Sequence, residues 1–261
     1  MTRLTRLEQE GPVTVLTLAR AERHNSLVPD LLSEIEQQVR AAETHADVRA
    51  LVLRADGASF STGGDLNGFL EHWDRDIQAY ASEVVGGLNR AILALRGSPL
   101  PVVAAVQGWV TGGSLGFLLA SDIVVAAAGA RIAPFYCEVG FAPDGGWSTL
   151  LPDLVGGKVA VGAQMTNEVW SATRAVELGL ANRLVSDERL DSEAMALAGE
   201  IAAKHPSTVR ATKANRAAMA DWEAALEQER RGFVATIVQP GVREGVEAFL
   251  DTAQRAGGQR G

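Results

Sequence analysis

Two stretches of the chain follow one plan. ALVLRADGASFSTGGDL (residues 50–66) and PVVAAVQGWVTGGSLGF (101–117) each run from an apolar, β-rich segment through Thr-Gly-Gly into a helix-forming segment. Glycine lets the backbone approach a ligand without an intervening Cβ, and a helix N-terminus carries unpaired N–H groups aimed outward. Two such N–H groups converging on one oxygen would make an oxyanion hole. Neither stretch fits GxGxxG or GxxxxGK[ST], so nucleotide binding of those kinds is not indicated.

The rest of the first part alternates strand-like and helix-like segments. Val13 to Leu18 is β-rich, and Val28 to Ala42 places Leu31, Leu32, Ile35 and Val39 at helical spacing. A strand over 50–54, a polar helical stretch over about 66–95, a strand over 101–106, an apolar helix ending near Ala120 and a strand over 123–127 follow. Next come a β-like or irregular segment and the turn-rich GFAPDGG (140–146). This order predicts an α/β core with largely parallel pairing, buried on both faces. From about residue 190 the chain turns helical, broken at His205-Pro206 and at QPG (239–241), with a last amphipathic helix over 242–253 and GGQRG as a loose tail. The predicted division is a core over 1–190 and a helical region over 191–261.

Composition narrows the function. Lys and Arg total 24 against 32 Asp and Glu, a formal charge of −8, with no basic stripe, which argues against nucleic acid as partner. The lone Cys137 makes no internal disulfide, and no Cys/His spacing suggests a metal. The charged N-terminus and the lack of an apolar run near ~20 residues predict neither signal peptide nor membrane span, hence a cytoplasmic protein.

Gly112, Ser114 and Gly116 also spell the GxSxG of a serine-hydrolase elbow, with Asp187 and His205 downstream. His205, however, precedes Pro206 in a Lys-flanked helical stretch, as expected of a solvated helix end, and His24, His45 and His72 all precede the serine. Ser114 is therefore read as incidental.

The motifs in their order resemble the enoyl-CoA hydratase/isomerase, or crotonase, family over nearly the whole chain. The stretches are LARAERHNSL (18–27), FSTGGDL (60–66), PVVAAVQGWVTGGSLG (101–116), SDIVVAAAGARI (121–132), GFAPDGGWSTLLPDLVG (140–156), AVELGL (175–180) with NRLV, and REGVEAFL (243–250). The resemblance implies a spiral ββα core with a helical C-terminal trimerisation region, a homotrimer or dimer of trimers, and an acyl-CoA thioester as substrate, coenzyme A entering as part of that substrate and no separate cofactor. It places the oxyanion N–H groups on Gly64 and Gly113. It places Arg23, His24, Ser26, Ser61, Gly63, Asp65, Leu66, Trp109 and Tyr136 along the CoA and acyl path. Asp65 and Asp122 also suit a helix cap and a turn.

Two positions depart from the hydratases of that family, which use two glutamates: here Gly116 and Tyr136 stand there, with Glu138 two residues along what reads as a strand. Asp144 of the Pro-Asp-Gly-Gly turn resembles the acid of some double-bond isomerases, and the nucleophile of an aryl-halide dehalogenase. The expected reaction is a 1,3-proton shift by Asp144, its pKa raised by apolar neighbours such as Phe141 and Trp147. A hydratase, a hydrolase or dehalogenase with nucleophilic Asp144, and a non-catalytic acyl-CoA-binding protein are the alternatives. Residues 67–82 and the C-terminal region are expected to shape the acyl pocket.

Overall fold

Thr5–Glu10 (β1) turns at Gly11 into Val13–Leu18 (β2), and the two strands pair antiparallel. The structure is a computed structural model and describes residues 3–215 and 219–258. Too polar to read as a strand from sequence, TRLEQE sits at the sheet edge, where only Thr5 is fully buried. Pro29–Glu43 (α1) then leads to Ala50–Ala55 (β3), which runs parallel to β2 with Val13 opposite Ala50 and Leu18 opposite Ala55.

The segment 66–95 is helical as expected and forms two helices, Leu66–His72 (α2) and Ile77–Gly97 (α3). The second one is not polar in its packing. Tyr80, Ala81, Val84, Val85, Leu88, Ala91, Ile92 and Leu95 are buried, because α3 lies between α1 and the C-terminal helices. Val102–Val106 (β4) joins the sheet beside β3. Two residues later Trp109–Thr111 (β5) opens a second sheet and leads through a turn at Gly112–Ser114 into Leu115–Ala120 (α4). Ile123–Ala127 (β6) returns to the first sheet and Arg131–Ala133 (β7) to the second.

Tyr136–Val139 (α5), Leu151–Val155 (α6), Gly157–Thr166 (α7), Trp170–Ser171 (β8), Ala172–Glu177 (α8) and Arg183–Val185 (β9) complete the core. Among the described residues the first sheet has the order β1-β2-β3-β4-β6-β9, parallel after its first pair, and the second β5-β7-β8. This alternation of the chain between two sheets is the expected spiral.

Alternate strand residues feed two cores. Leu16, Leu18, Leu51 and Leu53 meet α1 and α3, whereas Val13, Val15, Ala50, Val52, Val103 and Val125 meet Leu190–Ala202 (α9) through Leu190, Ala194, Leu197 and Ala198. The change near residue 190 is thus one of composition, and α9 packs against one face of the first sheet. Pro206–Ala214 (α10) begins at the predicted break with His205 as its N-cap. Met219–Thr236 (α11) packs on α3, and Val242–Gly258 (α12) packs on α2 and α5 and runs on past its expected end at Ala253. Gly257 and Gly258 of the expected tail belong to α12, and its last three residues lie outside the described ones. Among the described residues no helix is long and apolar enough to cross a membrane, and no cluster of His, Cys, Asp or Glu could hold a metal ion.

Candidate active site

The two Thr-Gly-Gly stretches lie against each other. Ser61 bridges Val110 in parallel, Ser61 N donating to Trp109 O at 3.0 Å and Thr111 N to Ser61 O at 3.1 Å. Gly63 has φ +73°, and a Cβ on it would lie 2.6 Å from Thr111 O, so only glycine allows this crossing. Gly64 is bridged to Leu27 through the carbonyl of Gly63 and the N–H of Asp65, which leaves its own N–H outside the ladder. Asp65 caps α2, accepting from Asn67 N at 3.2 Å. Gly113 lies in the single turn that opens α4, where N–H groups have no partner within the helix.

One pocket gathers Gly63, Gly64, Gly112, Gly113, Tyr136 and Asp144. Asp144 lies on Gly113: a Cβ there would sit 2.8 Å from Asp144 Oδ1. Gly145, at φ +64°, brings its backbone onto that of Gly113 in the same way, 2.4 Å from Gly113 O to a Cβ on Gly145. Burial pushes the Asp144 carboxyl up to about 7; the hydrogen bond from Tyr136 opposes that shift and the charge of Glu229 on α11 adds to it. Tyr136 donates to Asp144 Oδ1 at 2.6 Å and to its carbonyl oxygen at 3.0 Å. Burial, then the charge of Asp144, holds its phenol well above the usual range and therefore neutral.

Apart from Thr62 and Thr111, the rest of the wall is apolar. Phe69, Phe141 and Phe233 form a triangle with ring centroids 4.9–5.8 Å apart, joined by Leu27, Leu88 and Phe249. Of segment 67–82 only Phe69 contributes among the described residues, and the C-terminal helices supply Phe233 and Phe249. Trp147 stands behind the wall, fully buried, its indole N–H donating to Gly112 O at 2.8 Å.

The remaining sequence-predicted residues divide. Leu66 lines the pocket with Gly63 and Tyr136, whereas Arg23, His24 and Trp109 are exposed beside it. Buried Ser26 and Asp65 form a knot with Arg20, Asp65 Oδ2 accepting from the Arg20 guanidinium at 2.8 Å. Burial works against it, but the hydrogen bond from Arg20 and the charges of Arg20 and Arg23 hold the Asp65 carboxyl below its ordinary value. Ser61 donates to Asn25 O at 2.8 Å, and buried Ser114 to Thr111 O at 2.7 Å, so both hydroxyls hold loops. Asp187 accepts from Gly129 N and His205 precedes α10 as its N-cap, its Nδ1 bonded to Ser207, so neither is a partner of Ser114. Asp122 accepts from Val102 N and pairs with Lys213, a structural role.

Glu138 requires correction. Its segment is the one-turn helix α5, not a strand, and its exposed carboxylate accepts from Asn167 Nδ2 at 3.1 Å, outside the pocket lining. Sequence reasoning also missed Glu229, whose signal was an acid at helical spacing between Leu226 and Phe233.

A family model described as enoyl-CoA hydratase/isomerase matches residues 8–259. A crotonyl-CoA hydratase of Syntrophomonas wolfei is 30% identical over 249 residues, covering 94% of each chain. A 1,2-epoxyphenylacetyl-CoA isomerase of Escherichia coli is 30% identical over 249 residues, covering 92% of this chain and 93% of its own. The crystal structure of an enoyl-CoA hydratase from Bacillus halodurans shares the fold, with a TM-score of 0.87 at 24% identity over 94% of this chain and 99% of that one. Relatives carry hydratase names more often than isomerase names, and dehalogenases are among them.

Proposed function

The chain belongs to the enoyl-CoA hydratase/isomerase family, and on that premise we propose that it is a double-bond isomerase of unsaturated acyl-CoA thioesters. The observation that carries this reading is that Asp144 is the one carboxylate among the described residues lining the pocket, and that it lies against Gly113. The N–H groups of Gly64 and Gly113 hold the thioester oxygen as it becomes an enolate, each such donor contributing ~3 kcal/mol in a site that excludes water. Asp144 removes a proton from C2 of a 3-enoyl thioester and returns it at C4. The double bond moves to C2–C3, atoms and charge balance, and no cofactor takes part. A carboxyl with a pKa near the working pH suits a group that is base and then acid.

Hydration is disfavoured by space as well as by chemistry. Gly116 stands where the resemblance expects a hydratase acid, and a Cβ there would lie 2.2 Å from Ile92 Cδ1 and 2.9 Å from Gly145 O. The Asp144 loop itself fills that position. Tyr136, at the second acid position, is a neutral donor spent on Asp144. The phenylalanine and leucine side chains of the wall favour an unsubstituted hydrocarbon acyl group, because a hydroxyl or carboxylate buried against them would find no partner.

Arg23, His24 and Trp109 are assigned to the CoA side of the pocket, beside Thr62 and Phe135 of its lining. Ser26, Ser61 and Asp65 support the loops beneath. The assembly proposed is a homotrimer or a dimer of trimers, for which a solution mass of three or six chains is expected. Asp144→Asn tests the reading: isomerisation of 3-enoyl-CoA should fall by at least ~10³-fold while CoA-ester binding persists. A variant that isomerises at the parental rate would sink the assignment.

A further inference from the structure

Along α11 and the residue after it, Leu226, Glu229, Phe233 and Ile237 are buried at helical spacing, and one of them is a carboxylate. Its Oε2 accepts from Gly146 N at 2.6 Å. Its Oε1 accepts from Ser148 N at 2.8 Å, Thr149 N at 2.9 Å and Thr149 Oγ1 at 3.0 Å. Among the described residues no Lys or Arg pairs with it. Burial raises the Glu229 carboxyl above its ordinary value, and these convergent N–H and O–H donors, in place of a cation, oppose that shift and favour its ionised form.

All of those donors belong to the segment that directly follows Asp144, whose Gly145 packs on the backbone of Gly113. One turn along α11, Phe233 lines the acyl pocket. The same helix face therefore holds the loop that carries the acid and part of the wall that receives the acyl chain.

We propose that Glu229 is a positioning residue for Asp144, fixing its loop against Gly113 and setting a negative charge behind the carboxyl group that carries the proton. The inference rests on reading Asp144 as that group. Tyr136 on α5 and Glu229 on α11 are the titratable side chains that bear on Asp144 among the described residues, and they act in opposite senses. A purely structural Glu229 would lower stability and rate together; a charged one also moves the titration of Asp144.

The test is a carbon NMR titration of protein labelled at its aspartate and glutamate carboxyls, with the Asp144 signal assigned by its loss in Asp144→Asn. In folded Glu229→Gln the Asp144 midpoint is expected to fall by about one pH unit, since the like charge is gone. The acid limb of the isomerase pH–rate profile should fall with it. Glu229→Asp keeps the charge but shortens the reach, so it should leave the midpoint in place and lower kcat. An unmoved midpoint in Glu229→Gln overturns the proposal. The titration needs no turnover, so it stands apart from failure of the isomerase reading. Should Glu229→Gln not fold, the parental titration decides: Glu229 is expected to titrate below Asp144, and the reverse order overturns the proposal.

Discussion

The phenolic oxygen of Tyr136 stands 2.6 Å from Oδ1 of Asp144, with both side chains buried. A phenol held neutral can only donate to a carboxylate, so this bond is strongest while Asp144 is ionised. It pulls the carboxyl down, against the burial that carries it up to about 7. Tyr136 thus favours the carboxylate form of Asp144 in a site whose apolar wall would otherwise hold it protonated.

Tyr136→Phe removes the strongest hydrogen bond to the ionised form, and the Asp144 carboxyl should rise further. The acid limb of kcat/KM is expected to move to higher pH, with a loss of about tenfold at pH 7 that shrinks toward pH 9. A profile displaced only in height, at all pH values alike, would contradict this role.

Asp144 also leaves a mark on stability. Its folded pKa of about 7 lies above the ordinary 3.8, so the folded protein holds the proton more tightly than the unfolded chain does. That contribution is complete below about pH 4 and is lost as pH rises through 7. Asp144→Asn carries no charge at any pH and should melt above the parent at pH 8, by at most on the order of 4 kcal/mol, with the gain vanishing near pH 4. Thermal unfolding of both proteins at the two pH values checks it; a gain that does not change with pH would refute the buried-base picture.

Gly116→Glu restores a hydratase-like acid in sequence but has no room in space, because Ile92 and Gly145 O occupy the position. The expected outcome is a loss of stability of about 2 kcal/mol or more and of isomerase activity, with no hydration gained. Formation of 3-hydroxyacyl-CoA by this variant would show that the Asp144 loop yields more readily than its packing indicates.

Phe233→Ala should open the far wall of the pocket. The cavity costs about 3–5 kcal/mol of stability, and the preferred acyl chain should lengthen, read as kcat/KM across a homologous series of 3-enoyl thioesters. An unchanged chain-length preference would place the acyl group elsewhere.

Much of this was legible in local sequence. The parallel core followed from runs such as Val102–Val106, buried on both faces, and the paired Thr-Gly-Gly stretches marked the loops that meet. Asp144 was singled out because the positions where the resemblance expects acids hold Gly116 and Tyr136, and the structure places it in the pocket. What Tyr136 does was not, since its reach to Asp144 depends on the one-turn helix α5, entered through Phe135 at φ +56°. Phe141 and Trp147 were anticipated as apolar neighbours of Asp144: Phe141 lines the pocket with it, and Trp147, whose backbone N–H donates to Asp144 O, stands behind the wall and steadies Gly112. Glu229 lies on a helix far along the chain, and only the fold brings α11 against the Asp144 loop. The edge strand β1 escaped notice because an edge needs few apolar residues.

Product mass tests the central claim most directly. A panel of 3-enoyl-CoA and 2-enoyl-CoA thioesters with hydrocarbon chains, incubated with the parental enzyme and analysed by chromatography and mass spectrometry, should yield the positional isomer at unchanged mass, and Asp144→Asn should not. A principal product heavier by one water, formed at comparable rates by both proteins, would contradict it.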